Sequence, residues 1–249
     1  MNLLGVHLTL MIGKKIPTPA SLFVAEALRS VEVTQGDQGP SGFQLTFHVG
    51  RSSVLDLLDY RLLNDPLLKP FSRVMLLVRF AVAPVVLMDG IITTQQLSPS
   101  NEPGASTFTV TGEDVSVMMD LKQQHRAFPA IPDYGAVSTI IGDYVEYGLL
   151  PSLPPANIQA LNPYNPFEEI PQKPANQTDR AYLQSLAQRY GFLFYVTPGP
   201  VPLFSQAHWG PPERLSIPQS ALSVNMGPAS NVESINFSYD GLRPQQVLS

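Results

Sequence analysis

The feature that most constrains this chain is a two-residue alternation of apolar and polar side chains in its first half. Phe43, Leu45 and Phe47 alternate with polar residues, and Phe108 and Val110 alternate with threonines. A period of two places every second side chain on the same face of a strand. Each of these segments is therefore predicted to be a half-buried strand.

Two further β-rich segments, residues 74–80 and 85–92, flank the short sequence at 81–84 and predict a hairpin. Glycine and proline turn signals separate the other predicted strands. Residues 54–63 have helical spacing and are predicted to form a short helix or an extended connection. Several antiparallel strands of this kind indicate a barrel or a sandwich, and the fold class predicted is mainly β.

The composition favours a chain that meets other subunits. Hydrophobic residues make up 44% of the chain and charged residues 14%, against about 25% charged in an average soluble domain. So little charge suggests that part of the surface is covered in an assembly. The alternative is a surface rich in serine, threonine and glutamine. Cysteine is absent, which excludes a disulfide framework and thiolate chemistry.

Charge and hydropathy argue against nucleic-acid binding, export and membrane insertion. The net charge is −5 without a basic block, whereas nucleic-acid binding needs clustered cations. Within residues 1–15 the lysines follow the apolar run, so no secretion signal is predicted. The apolar stretch at 74–92 is interrupted by Arg79, Pro84 and Asp89, which makes it unsuitable for spanning a bilayer.

The middle of the chain changes from strand-like to helical patterning. A helix is predicted over residues 136–147, with Gly148 as a left-handed C-terminal cap. A proline-rich link follows at 151–174, because proline lacks an N–H and blocks regular helix. The apolar stripe of the predicted helix comprises Val137, Ile140, Ile141, Tyr144 and Val145.

A sharper helical pattern occupies residues 178–191. Thr178 or Asp179 is predicted to cap its N-terminus, where a side-chain oxygen accepts from free backbone N–H groups. Gly191 is predicted to end the helix. The predicted packed face and the residue that follows the glycine are Leu183, Leu186, Ala187, Tyr190 and Phe192.

Strands return after this helix. Residues 192–196 are predicted to form a strand, 197–200 a turn and 201–204 the returning strand of a hairpin. From about residue 216 more strand-like segments occur, most clearly at 232–239. An isolated strand cannot close its own core, so we expect either a partner to complete it or the natural chain to continue.

No catalytic centre can be assembled from the sequence, and no enzyme activity, metal or cofactor is predicted. Glu113–Asp114 and Glu168–Glu169 are sequence neighbours, which seldom face each other across a substrate; Asp114 is better explained as a helix start. Trp209 is either a ligand-stacking residue or a packed core residue. The histidines lack metal-ligand spacing: His7, His48, His125 and His208.

Three segments, taken in their order along the chain, resemble the late-control D family of phage tail proteins. The resemblance is clearest at residues 177–192, where an acidic residue, Leu-Ala, an aromatic and glycine follow one another. Residues 86–92 resemble the family's barrel strand, with glycine before a hydrophobic pair, and 109–115 lead similarly into a short helix. The likeness spans roughly residues 20–245. The family includes the baseplate hubs of contractile phages and the hub portion of type VI secretion spikes.

The resemblance implies a trimeric ring in which each subunit contributes two tube-like β-barrels. Three subunits would then match the sixfold tail tube to the threefold spike. The domains expected are a tube-like barrel at 1–115, an α+β domain at 116–215 and the incomplete start of a second barrel at 216–249. The residues that carry the family signature are those of the 178–192 helix unit named above.

The function implied is a structural baseplate hub of a phage tail or phage-tail-like injection system. Its expected partners are two further copies of itself, the tail tube protein, the central spike protein and the baseplate wedge proteins. Such a chain would be assembled in the bacterial cytoplasm. The alternatives are a carbohydrate-binding β module that uses Trp209 with nearby tyrosines, and a cell-wall hydrolase.

Overall fold

The computed structural model describes residues 7–36, 39–49, 61–80, 83–102, 105–129, 131–154 and 171–212, together with Ser223, Val224, Gly227 and Ser230. Met1–Pro212 forms one compact unit and Glu213–Ser249 a second. The strand predicted at 232–239 and most of the segment at 54–63 lie outside the described residues. The predicted fold class, mainly β with a helical portion, is confirmed.

The first half of the chain builds one antiparallel sheet of seven strands in the order β2-β1-β5-β6-β7-β4-β3. The predicted strands at 43–47 and 107–111 and the hairpin at 74–92 are all present, whereas β1 and α1 were not predicted. The elements are β1 His7–Gly13, β2 Thr18–Pro19, α1 Leu22–Ala27, β3 Leu28–Thr34, β4 Gly42–His48, α2 Arg61–Asn64, β5 Arg73–Phe80, β6 Ala83–Ser98 and β7 Thr107–Asp114.

Strand β6 joins two halves of this sheet. Its residues 83–91 pair with β5, and its residues 90–98 pair with β7, so the two pairings overlap at Gly90 and Ile91. Ile92 also forms backbone hydrogen bonds with Phe71 and Ser72, just before β5. One half comprises β2, β1 and β5, and the other comprises β7, β4 and β3. Strands β2 and β3 lie at the two ends of this strand order, and closure into a barrel stays a prediction.

The predicted alternation accounts for the core of the sheet. Phe43, Leu45 and Phe47 are at most 4% exposed, whereas the residues between them are half-buried. Two glycines make room for the Phe43 ring: a Cβ on Gly90 would lie 2.9 Å from its Cε1, and one on Gly112 would lie 2.4 Å from its Cζ. A side chain at either position would displace the ring or the backbone of the neighbouring strand.

The described residues between 115 and 212 build a helical layer and two small sheets. Strand order is β11-β12-β9 in one sheet and β10-β8 in the other, and β9 pairs with β12 in parallel. The elements are a 3₁₀ helix Val115–Asp120, β8 Arg126–Ala127, α3 Asp133–Gly142, a 3₁₀ helix Val145–Tyr147, β9 Leu149–Ser152, β10 Gln172–Lys173, α4 Asp179–Tyr190, β11 Leu193–Pro198 and β12 Ser205–Gly210.

The helix predicted at 136–147 is shorter than expected. α3 ends at Gly142, and Val145, which was assigned to the apolar stripe, is 59% exposed. Glycine and aspartate at 142–143 have low helix propensity, and the chain tightens there into i→i+3 hydrogen bonds. Gly148 does adopt the left-handed conformation, at φ 73°, but it ends the following 3₁₀ helix.

The returning strand predicted at 201–204 was also misplaced, because those residues form the turn and β12 begins at Ser205. Leu203 has a φ of 77°, which interrupts an extended strand. The prolines at 200 and 202 have no N–H to donate to a ladder. The link predicted at 151–174 begins inside β9 and ends with β10, and residues 155–170 lie outside the described part of the chain.

Candidate functional site

The N-terminus of α4 is fixed by Thr178, one of the two predicted caps. Its hydroxyl oxygen accepts a hydrogen bond of 3.2 Å from the Ala181 N–H and donates one of 2.8 Å to Asp120 Oδ1. The same side chain therefore satisfies a free N–H of α4 and ties the helix to the 3₁₀ helix Val115–Asp120. Asp179 is the acidic residue of the first turn and not the cap.

Asp179 instead forms a buried ion pair with Lys173 on β10. Lys173 Nζ lies 2.6 Å from Asp179 Oδ1, and the lysine side chain is fully buried. The Tyr144 hydroxyl donates a 2.8 Å hydrogen bond to Asp179 Oδ2. Burial, together with the negative charge of Asp179, holds the pKa of Tyr144 well above its usual range. The tyrosine therefore stays protonated and keeps donating to the carboxylate.

Arg180 connects α4 to the C-terminal end of β7 in the seven-stranded sheet. Its guanidinium Nη1 lies 2.9 Å from Asp120 Oδ2 and 3.1 Å from Glu113 Oε2, and its side chain is 8% exposed. Sequence reasoning missed this residue. A signal was present, because a cation in the first turn opposes the helix macrodipole and so requires nearby carboxylates. Nothing local, however, shows that those carboxylates come from residues 113–120.

Asp114 lies next to this contact and starts the 3₁₀ helix, as predicted. Its carboxylate accepts 2.9 Å hydrogen bonds from the N–H groups of Ser41 and Ser116. Burial raises the pKa of Asp114, while the hydrogen bonds from both serines and the charge of Arg180 act in the opposite direction. We call this set of contacts the polar junction: Glu113, Asp114, Asp120, Tyr144, Lys173, Thr178, Asp179 and Arg180.

The other face of α4 is apolar and packs into the core of the helical layer. Leu183, Leu186 and Ala187 are at most 5% exposed, and Tyr182, which was not predicted, is buried beside them. These side chains pack in one apolar cluster with α3 and the three-stranded sheet of β11, β12 and β9. The helix is thus held by apolar packing along its length and by the polar junction at its N-terminus.

Gly191 ends α4 in the left-handed conformation, at φ 66°. The Phe192 N–H donates to the Ala187 carbonyl at 2.7 Å, and the Gly191 N–H donates to the Gln188 carbonyl at 3.1 Å. This is the hydrogen-bond pattern of a Schellman cap. The predicted residues of the 178–192 unit are therefore brought together, and their role as a family signature stays a prediction.

Trp209 belongs to the core and is not a ligand platform. It is 2% exposed, and its Nε1–H donates to the Leu183 carbonyl at 3.2 Å. Tyr190 and Phe192 meet its ring edge-on, with centroid distances of 5.6 and 5.0 Å. The carbohydrate-binding alternative that relied on Trp209 is therefore wrong for this residue, because no sugar could stack on a ring enclosed in this way.

A second buried ion pair, Arg73 with Asp89, lies within the seven-stranded sheet and forms hydrogen bonds with the β11–β12 hairpin. We call the pair and these hydrogen bonds the hairpin clamp. Arg73 Nε and Nη2 donate to the two oxygens of Asp89 at 2.8 and 2.6 Å. Arg73 Nη2 also donates to the Leu203 carbonyl at 2.9 Å, and the Ser205 hydroxyl donates to Asp89 Oδ2 at 3.2 Å. The side chains of the pair are at most 3% exposed.

The chemistry of these contacts favours holding parts together over transforming a substrate. In the polar junction and the hairpin clamp, the charged groups are directed at one another across element boundaries. Within the part of the chain that the structure describes, no group of three or more His, Asp or Glu could hold a metal ion. No described helix is both long enough and apolar enough to cross a membrane.

Comparison with known proteins identifies the fold. No family model and no curated protein sequence matches the chain. A solved tail protein from Neisseria meningitidis MC58 has the same fold, with a TM-score of 0.61 and 13% identity over 96% of this chain. The chain spans 62% of that protein's length.

Two further solved structures match less well. A 43 kDa tail protein of prophage MuSo2 from Shewanella oneidensis has a TM-score of 0.48 at 12% identity, and the match covers 89% of this chain and 56% of that protein's chain. A chain of a Francisella PdpA–VgrG complex has a TM-score of 0.46 at 12% identity, and the match covers 82% of this chain and 31% of that chain. The match with a TM-score of 0.61 shows that the fold of this chain is the fold of the N. meningitidis tail protein.

Proposed function

We propose that this chain is a structural subunit of a phage tail or phage-tail-like injection system, the baseplate hub that joins the inner tube to the central spike. The observation that carries the proposal is the fold shared with the N. meningitidis tail protein over 96% of this chain. Three copies would form the hub ring, with the tube protein and the spike protein on opposite faces and wedge proteins at the side. Assembly would take place in the bacterial cytoplasm.

The buried contacts between sheet and helical layer support this role. A hub that joins two other parts has to keep its own layers in a fixed orientation. The hairpin clamp and the polar junction each join the seven-stranded sheet to the helical layer, through Arg73 and Arg180 respectively. Displacing one layer against the other would take the Leu203 carbonyl and the Ser205 hydroxyl away from the buried Arg73–Asp89 pair and would separate Arg180 from Glu113. Hydrogen bonds to charged groups contribute about 1.5–3 kcal/mol each, so this displacement is costly.

The surface also suits a chain that lies among other subunits. Several large apolar side chains of the described residues are more than half exposed, among them Ile16 at 72% and Leu22 at 74%. Single exposed apolar residues are common, but here they accompany a charged fraction of only 14%. Covering them in a ring would remove apolar area from water.

The experiment is co-expression with candidate tube and spike proteins, followed by native mass spectrometry and electron microscopy. We expect a complex that contains three copies of this chain together with the spike. A stable monomer that ignores both proteins would overturn the proposal. The purified chain should also leave peptidoglycan intact in a zymogram, because the proposed role needs no catalysis.

A further inference from the structure

An open groove of about 450 Å³ lies where the β1–β2 turn meets the segment before β5. Cationic side chains and apolar or aromatic side chains both line it. The residues that matter are Lys14, Lys15, Lys69, Phe71, Met118 and Tyr147. Arg73 Nη1 of the hairpin clamp donates a 3.2 Å hydrogen bond to the Lys15 carbonyl. No side chain of these six residues takes part in the hairpin clamp or the polar junction.

The groove concentrates positive charge in an acidic chain. Three of the 15 lysines and arginines line it, although the net charge of the chain is −5. Lys15 is paired with Glu146. For Lys14 and Lys69 there is no carboxylate within ion-pair distance among the described residues, and both side chains are exposed. Two ammonium groups are therefore available to a ligand.

Phe71 displays an aromatic ring beside these lysines at a conformational cost. It has a φ of 68°, a backbone region that bulky residues rarely adopt, and it is 59% exposed. Its N–H donates to the Ile92 carbonyl at 2.8 Å, which fixes the backbone in place. Packing does not explain a strained residue whose ring faces solvent, and strained residues are concentrated at ligand-binding positions.

We infer that this groove binds an acidic peptide segment of a partner protein that carries an aromatic or aliphatic side chain. The carboxylates of such a segment would lie against Lys14 and Lys69, and its apolar side chain would cover Phe71 and Met118. The apolar and aromatic part of the lining favours a peptide over a polyphosphate, which would leave Phe71 exposed to water. The inference does not depend on the hub role, because it rests only on the groove.

The test measures binding of a labelled synthetic peptide, rich in glutamate and with one phenylalanine, to the whole chain by fluorescence anisotropy. We expect binding that weakens with added salt, because exposed charges are screened. Lys14→Glu combined with Lys69→Glu should weaken it about tenfold or more, since each tenfold step corresponds to about 1.4 kcal/mol. The matched control, Arg29→Glu with Lys122→Glu, makes the same change in net charge at exposed positions outside the groove.

Phe71→Gly separates a binding role from a structural one. Glycine adopts positive φ without strain, so this variant should melt no lower than the native chain while it loses affinity for the phenylalanine-containing peptide. A peptide in which alanine replaces the phenylalanine should bind native protein and Phe71→Gly equally.

Three outcomes would overturn the inference. The first is absence of peptide binding to the native chain. The second is equal weakening in the groove and control variants. The third is displacement of the peptide by polyphosphate or single-stranded DNA that binds as tightly and responds equally to Lys14 and Lys69, which would make the groove a general anion site. None of these results bears on whether the chain assembles with tube and spike.

Discussion

The Tyr190 hydroxyl donates a 2.6 Å hydrogen bond to Asp133 Oδ2 and thereby joins the last turn of α4 to the first turn of α3. The Asp133 side chain is 13% exposed, and Arg189 Nη1 lies 3.7 Å from the same carboxylate oxygen. A negative charge at the start of α3 also complements the helix macrodipole. The helix pair is therefore linked by a polar contact at the end opposite to the polar junction.

Tyr190→Phe should lower the free energy of unfolding by about 1–2 kcal/mol, because a hydrogen bond to a charged, largely buried acceptor is lost. Urea unfolding followed by circular dichroism would measure the change. Asp133→Asn weakens the same acceptor, so the double variant should cost less than the sum of the two single changes. Additive losses would show that the two side chains stabilise the protein independently.

Leu186→Ala should cost about 2–5 kcal/mol, because the side chain is buried in the core of the helical layer and its removal leaves a cavity. The matched control is Gln188→Ala on the exposed face of the same helix, where about 0.5 kcal/mol or less is expected. Thermal melts of both variants provide the comparison. Equal tolerance at the two positions would contradict the packing described for α4.

Gly191→Val should destabilise the protein by about 1–2 kcal/mol or more, because a β-branched residue fits poorly at positive φ. A Cβ at this position would meet no atom within 4 Å, so the loss would report backbone strain alone. Gly191→Asn should be milder, since asparagine tolerates the left-handed region. If the melting temperatures show valine and asparagine to be equivalent, the strain argument fails.

Arg73→Met should cost about 3–5 kcal/mol, because it leaves Asp89 buried without its counter-charge. Combining it with Asp89→Leu removes the stranded charge, so the double variant should be more stable than Arg73→Met alone. Urea unfolding of the three variants would establish the order. A double variant less stable than Arg73→Met would mean that the apolar replacements pack too poorly to compensate.

The sequence was sufficient to predict those strands and helices whose determinants lie within a few residues of one another. The alternation at 43–47 predicted β4, because burial on one face follows directly from a period of two. The cap at Thr178 and the glycine at 191 predicted both ends of α4, because each acts within one turn of the helix. The mainly β fold class followed from several such segments in a row.

Contacts between distant parts of the chain escaped prediction. Strands β9 and β12 pair in parallel, which places Leu149 opposite Ser205. Each paired segment is only four residues long, and no turn signal in the sequence indicates that the two segments are partners. Arg180 was overlooked because its burial depends on Glu113 and Asp120, about sixty residues earlier in the chain. Arg73 and Asp89 likewise lie in strands whose register brings them together only in the folded sheet.

Strand β6 has a mechanical consequence for a chain proposed to sit between a tube and a spike. Its backbone runs unbroken from the half-sheet of β5 into the half-sheet of β7. A load applied to one half therefore reaches the other through covalent bonds at Gly90 and Ile91, in addition to the hydrogen bonds there. The two halves therefore cannot be separated by breaking the hydrogen bonds between two neighbouring strands alone. Separating them would require β6 to lose its hydrogen bonds to β5 or to β7 along about half its length.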